Sequence, residues 1–515
     1  MTILYNKKLS FDFNNLKIKL KLSFMTIINS KEKFLVCSID IGTSSVRVLG
    51  YDKKGQAVKG LVVQQAYQMD TALDGKVEIS AKTLCSLIAN CLDSFLEKVS
   101  KENYLIKAVS ISSFWHSLLG IDSRAKAITP LISWNDTRSH LAAKSLRANL
   151  NEIEIHQKTG CRLHSSYWPA KISWLSKREE FSKIKYWLSF ADYLFLELFG
   201  ELTTSVSLAS GTGLLDHNNC VWDKKLIKNL PLDLSQLPKI SEEPLKVLKP
   251  KFAGRWPKLS KIPWFLAIGD GACSNIGSNC FNSTKFALMI GTSGAMRAVC
   301  ERDFSIPSGL WAYRIDSQRS IIGGAISNAG NLFAWLKNTL SLNLSDKALE
   351  IALSKIKADS HGLTLLPFFS GERSLGWNDN AKGAIIGLQL ATKPIEILRA
   401  ALEAIAYQFF LIYQELIKIL DKPKIIVATG GGLYNSKVWG KIITDIIGES
   451  LGILSEAEAS SRGAALLALE SLNILKLDES DNFKEIYKTN SGNNFIYQQA
   501  VNRYKNFYQK LVLEN

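Results

Sequence analysis

C-S-I-D-I-G-T-S-S-V-R-V-L-G-Y-D, residues Cys37–Asp52, is an apolar run closed by an acid, then a Gly-Thr-Ser-Ser turn, then a second apolar run. The pattern predicts two strands joined by a tight hairpin. A Gly-hydroxyl turn between strands offers backbone N–H groups and small hydroxyls, which is what a phosphate chain requires. Asp40 ends the first strand, placed to hold a hard cation through water. By itself such a turn is common in loops that bind nothing.

Recurrence sets this one apart. Ile290-Gly291-Thr292-Ser293 repeats Ile41-Gly42-Thr43-Ser44, again between apolar runs, Phe286–Met289 and Ala295–Val299. Two copies about 250 residues apart imply two related domains, each presenting a phosphate-gripping hairpin to a shared cleft. Met289 stands where Asp40 stood, so only the first copy can serve a metal.

The chain has 515 residues, enough for two or three domains with full cores. Its 46% hydrophobic and 21% charged content is that of an ordinary globular protein, and no apolar run reaches membrane-span length. The 8 cysteines lack any CxxC pair, which excludes a disulfide scaffold and fits a reducing cytoplasm. A net charge of +16 raises the question of nucleic acid, but the lysines are dispersed and no basic run is interleaved with aromatics. Residues 1–32 are lysine-rich without a small-residue cleavage site, and Met25 begins a plausible shorter start. They read as a disordered leader or an over-extended start.

Farther along, strand-like Gly60–Ala66 leads to apolar residues at helical spacing over Glu78–Ser100, then to a strand over Ile106–Ser112. That strand delivers Ser113-Phe114-Trp115-His116 at its carboxyl end, where ligands sit in α/β sheets. Ile262–Ile268 ends in Gly269-Asp270-Gly271, Pro394–Leu420 predicts a long helix, and Ile425–Ala428 a strand feeding Gly430-Gly431-Gly432. The expected division is 33–280, 281–475 and a helical, aromatic tail over 476–515, after the leader.

Together these motifs resemble the FGGY family of carbohydrate kinases over about Lys33 to Leu472. The wording is most similar to gluconokinase-like members in W-H-S-L-L-G-I-D (115–122), W-N-D-T-R-S (134–139), G-E-R-S-L-G-W-N-D-N-A-K-G (371–383) and R-A-A-L-E-A-I-A-Y (399–407). The resemblance implies a two-domain α/β architecture, the actin-like, ribonuclease-H-like ATPase fold with an interdomain cleft. It implies ATP and Mg²⁺ as cofactors, with Asp270 as catalytic base toward the sugar hydroxyl and Asp40 as the metal-associated acid. Thr43, Ser44, Arg47 and Thr292 match phosphate contacts, and Gly330, Gly431 and Asn435 match adenosine-side positions. Trp115 and His116 match the sugar-contacting pair. A single carboxylate within reach of the attacking hydroxyl is also what phosphoryl transfer asks for.

Phe114 replaces a Gln frequent in xylulose-type members and removes a polar sugar contact. Lys441 replaces a Gln near the adenosine-side helix. Gluconate to 6-phosphogluconate is the first expectation; xylulose, ribulose or another polyol is the second. Arg138, Lys171 and Arg373 are candidate cations for a carboxylate substrate, Arg138 being an ion-pair partner first. The expected partner is a small sugar, sugar acid or polyol, with no nucleic acid or membrane, and a homodimer stays open. An actin- or Hsp70-like switch module would keep the phosphate turns but need no base at Asp270.

Overall fold

The computed structural model describes residues 33–301, 304–454, 458–478 and 483–514; the leader lies outside them. In the first half, β1 (Lys33–Ile41), β2 (Ser45–Tyr51) and β3 (Ala57–Ala66) form an antiparallel meander. Helix α1 (Ala81–Ser100) then leads to β4 (Tyr104–Ser113), which runs parallel to β1. After a long excursion over 114–267, β5 (Ile268–Gly269) adds outside β4, giving the order β5-β4-β1-β2-β3. Helix α2 (Asp270–Gly277) follows directly.

The second half repeats this plan. β6 (Lys285–Ile290) and β7 (Gly294–Cys300) are antiparallel, and β8 (Trp311–Arg314) and β9 (Ser320–Ile326) extend that side. Helices α3 (Gly330–Thr339) and α4 (Pro394–Leu416) lead to β10 (Ile425–Thr429), which is parallel to β6. Two short helices, α5 (Gly431–Tyr434) and α6 (Lys437–Ile447), precede β11 (Leu451–Leu454). Then come α7 (Ala459–Ser471), β12 (Phe483–Tyr487) and α8 (Ser491–Tyr508). The sheet order is β8-β9-β7-β6-β10-β11-β12. Its inner five strands, β9-β7-β6-β10-β11, match β3-β2-β1-β4-β5 in order and direction, so both Gly-Thr-Ser turns are equivalent hairpins of one repeated unit.

Local chemistry moves several expected boundaries. The helix expected from Glu78 begins at Ala81, because Ser80 caps it by accepting from Thr83 N, and Val77–Ile79 pairs instead as a strand. The helix expected to reach Leu420 ends at Leu416. The tail contributes a strand, β12, and then α8, whose Tyr497 and Tyr504 lie fully inside the core of the second half.

Helix α7 crosses back. Leu466 and Leu467 join the core of the first half, while Ala465, Ala468 and Leu469 cover Val36, Leu49 and Tyr51. It packs on α2 through glycine: a Cβ at Gly463 would drive into the Cys273 carbonyl, and one at Gly277 into that of Ala459. The two helices therefore meet backbone to backbone immediately behind Asp270.

Candidate active site

Between the halves lies a cavity of about 180 Å³, lined from the first half by Thr43, Trp115, His116, Trp134 and Asp270, and from the second by Ser293, Arg297, Tyr313 and Arg373. That volume is roughly six waters' worth, suited to a small polar molecule. Its walls are tied together beside it: the Tyr167 and Tyr313 hydroxyls are 2.7 Å apart, Ala312 N donates to Gly160 O at 3.0 Å, and His164 bonds Asp379 at 2.9 Å.

Asp270 is the first residue of α2, delivered by the end of β5. Its Oδ1 accepts from Gly271 N at 2.7 Å. Burial raises its pKa above the ordinary carboxylate value, while Arg297 and the backbone N–H bond pull it down. Raised basicity suits a group that must take a proton.

Trp115 and His116 follow β4. The indole is held by its Nε1, which donates to Ser207 O at 3.0 Å, and by ring contact with Tyr313 at 4.8 Å. Cβ atoms at Gly211 or Gly269 would enter that ring, so glycine on both sides is a packing requirement. His116 adopts φ 66°, a strained backbone for a non-glycine residue of the kind found at functional sites. Its Nδ1 bonds the Gly211 carbonyl, which makes Nδ1–H the donor and leaves Nε2 as acceptor. Burial lowers its pKa to about 3, so the ring is neutral.

Two candidate cations turn away from the cavity. Arg138 is held by Asp136 at 2.7 Å and Glu78 at 2.6 Å, with its guanidinium over Trp174. Lys171 is buried and donates to Ser166 O at 2.7 Å and His116 O at 3.3 Å, bracing the strained residue; burial lowers its pKa to about 7. Arg373 does line the cavity, 5.3 Å above the Trp134 ring, while its neighbour Glu372 points elsewhere and accepts from Tyr508 at 2.7 Å.

Asp40 lies beside Arg47 across the first hairpin, 3.7 Å away, and is 7% exposed. Burial raises its pKa to about 6, against a bond from Ser112 and the charge of Arg47, with Asp270 and Glu458 adding repulsion. Arg47 also pairs with Glu458 at 2.8 Å, which links the first hairpin to the start of α7. Thr43 lines the cavity and Ser44 is exposed in a shallow recess shared with Arg47 and Tyr67.

The remaining matched positions gather at the second hairpin. Gly330 N donates to Gly291 O at 3.0 Å and Asn331 N to Thr292 O at 3.1 Å, so α3 starts on the turn, where a Gly330 Cβ would not fit. Gly430 turns at φ 91° against the Ile290 carbonyl, Gly431 opens α5, and Asn435 closes it by donating to Gly431 O at 3.2 Å. Thr292 is exposed at the tip. Asp40, Thr43 and Asp270 thus stand on one side of the cleft, and Thr292, Gly330, Gly431 and Asn435 on the other.

Sequence reasoning missed Arg297, Tyr313 and Tyr167. Arg297 left a signal: it is the one charge in the strand G-A-M-R-A-V-C, in phase with Ser293 and Ala295, where a charge is unexpected unless it faces a ligand. Tyr313 and Tyr167 left none, because buried tyrosines are ordinary core residues.

Among the described residues one group has the makings of a metal cluster, Asp359, His361 and Glu403, remote from this cavity. Its carboxylates are already matched, Asp359 by Arg503 at 2.5 Å and Glu403 by Arg399 at 2.7 Å. It is a structural ion-pair network. No helix among the described residues is long and apolar enough to cross a membrane.

Comparison with known proteins agrees with this geometry. Family models for the FGGY carbohydrate kinases match residues 35–277, as the N-terminal domain, and 286–472, as the C-terminal domain. A gluconokinase of Bacillus subtilis is 26% identical over 458 residues, 86% of this chain and 88% of that protein. A gluconate kinase structure from Lactobacillus acidophilus superposes with a TM-score of 0.88 at 27% identity, covering 93% of this chain and 98% of the other. A ligand-bound xylulose kinase from the same organism gives 0.87, 27%, 93% and 98%. With more than half the chain matched in two consecutive domains, on a duplicated fold whose cleft holds an acid, two hairpins and a small polar cavity, this protein belongs to the FGGY family of carbohydrate kinases and is an ATP-dependent sugar kinase.

Proposed function

We propose that the protein transfers the γ-phosphoryl of ATP to a hydroxyl of a sugar acid, with gluconate to 6-phosphogluconate as the leading reaction. The carrying observation is that Asp270 lines the same interdomain cavity as Thr43 and Ser293, one residue from each Gly-Thr-Ser hairpin. A hydroxyl seated there has a basic carboxylate and both turns within one cavity, which suits the positioning that phosphoryl transfer asks for.

In this reading Trp115 gives the substrate carbons a flat apolar wall, and the neutral His116 accepts from a substrate hydroxyl. Thr43, Ser44, Arg47 and Thr292 receive the phosphates, and Gly330, Gly431 and Asn435 leave room for the nucleoside. Asp40 suits Mg²⁺, which takes one or two carboxylates plus phosphate oxygens and water, and whose charge offsets the cost of ionising a buried acid. When bound, Mg²⁺ neutralises charge developing on the transferred group. The 8 cysteines are free thiols, which supports a reducing cytoplasm.

An ADP-release assay with Mg²⁺-ATP against gluconate, xylulose, ribulose, glycerol and related polyols tests the proposal. Stimulation by gluconate at the highest kcat/KM is expected; no stimulation by any acceptor refutes the kinase assignment.

A further inference from the structure

Arg297 and Arg373 are the two cationic side chains that line the cavity. Neither forms an ion pair or a side-chain hydrogen bond among the described residues. The Arg297 Nε is enclosed and has no hydrogen-bond partner, and the Arg373 guanidinium rests on the Trp134 ring. The two feel each other: burial and then the charge of Arg373 disfavour the charge of Arg297, against which stand chiefly Asp270 and, more weakly, Tyr313. His116 stays neutral, and Lys171 is spent on backbone carbonyls outside the lining. With Asp270 ionised, the cavity therefore carries one unbalanced positive charge, desolvated and without a protein partner. Such an arrangement is costly in the empty protein and is relieved by an anion.

On the proposed kinase function rests a more specific assignment: we infer that Arg297 and Arg373 together receive the carboxylate of an open-chain sugar acid, and that this pair sets acid over neutral polyol. Four features support the pairing. The arginines come from separate segments, β7 and the loop over 371–383, and converge on one cavity. Arginine is the cation whose planar fork matches a carboxylate. Ala295, in phase with Arg297 on β7, is small and leaves space between Arg297 and the hairpin for a chain of carbons. Stacking on Trp134 fixes the plane of the Arg373 guanidinium in advance.

The experiment compares aldonates with alditols of the same carbon skeleton, D-gluconate with D-glucitol and D-galactonate with D-galactitol, in the ADP-release assay. Wild type is expected to favour the acid by about 100-fold in kcat/KM in at least one pair, the scale of charge-assisted bonds to a buried partner. Arg297→Met and Arg373→Met are each expected to cut that preference by about 30-fold or more through KM for the acid, with KM for ATP moving less than threefold; Arg373→Lys should recover part of it. Equal use of acid and alditol in both pairs overturns the inference. So does a parallel loss of both acceptors in the variants, or a rise in KM for ATP, which would assign the arginines to the nucleotide phosphates. Titration calorimetry on wild type without nucleotide decides the anion site independently of turnover: an aldonate binding where its alditol does not supports it, and binding of neither overturns it. Failure of every acceptor to release ADP, with aldonate still bound, is instead the failure of the kinase function.

Discussion

Gly269→Ala changes one hydrogen to a methyl and touches neither substrate nor nucleotide, yet it should disable the site. The added Cβ would lie 1.8 Å from Trp115 Cε2 and 2.3 Å from Cδ2 and Cζ2. Ordinary carbon contact begins near 3.5 Å, so ring and backbone must separate by roughly 2 Å. The ring has nowhere to go: its far edge abuts Gly211, its Nε1 is bonded to Ser207 O, and Tyr313 lies against its face. The backbone is equally held, because Gly269 N donates to Ser207 Oγ at 3.1 Å and the next residue is Asp270. Overpacking of this kind costs about 1–3 kcal/mol. A displacement of the base by even about 1 Å costs on the order of 100-fold in rate. The expected result is a kcat/KM at least about 100-fold below wild type, measured well below a melting temperature that falls by several degrees. Gly254→Ala, where an added Cβ meets nothing within 4 Å, is the control and should change neither quantity. Activity of Gly269→Ala within threefold of wild type would refute the idea that Trp115 and Asp270 are positioned through this glycine.

Asp270→Asn should lower kcat by about 10²–10⁴-fold, the span of a general base, while KM for ATP stays within a few-fold in steady-state kinetics. Asp40→Asn should abolish turnover yet stabilise the fold at pH 7.5. Burial raises the pKa of the folded carboxyl from the ordinary 3.8 to about 6, so its cost is absent below about pH 4 and complete above about pH 6. Melting curves should show a gain of about 3 kcal/mol at pH 7.5 that vanishes by pH 4. Wild-type kcat/KM should correspondingly fall as pH drops through about 6 in a pH-rate profile. Glu403→Gln, which strands the Arg399 charge and turns one of the two oxygens that serve Arg399, Tyr497 and His361 into a donor, should cost about 3–5 kcal/mol in a denaturation experiment. A chelator should leave the wild-type melting temperature unchanged, because Arg399 and Arg503 already balance that cluster.

The duplicated hairpin was readable because its signal is local: a Gly-Thr-Ser turn between apolar runs occupies about ten consecutive residues and occurs twice. Asp270 was readable for the same reason, as a carboxylate between glycines at a strand end. Helix ends were less so, since a single Ser80 side chain shifted the start of α1 by three residues from Glu78. The second-half wall of the cavity was not readable from local pattern. Arg297 and Tyr313 lie on strands whose neighbours are apolar, and their exposure to the cavity depends on how the two sheets face each other. The candidate cations were legible only in part: Arg138 was expected to be an ion-pair partner first, as it is, while nothing local separated Lys171 from Arg373. Asp136 two residues away marked Arg138 in the sequence, but the second partner, Glu78, comes from a distant segment and shows only in the fold.

Helix α7 also bears on how the chain acquires its structure during synthesis. The sheet of the first half is complete by residue 269, but the surface of Val36, Leu49 and Tyr51, flanked by Phe34 and Phe265, is closed over by Ala465, Ala468 and Leu469. Roughly 180 further residues separate α2 from that covering helix, about 10–40 s of translation at 5–20 residues per second. Throughout that interval the nascent first half carries an apolar strip that lacks its covering helix, a binding target for chaperones and a site of misassociation between neighbouring ribosomes. A chain cut near 280 would keep the strip permanently.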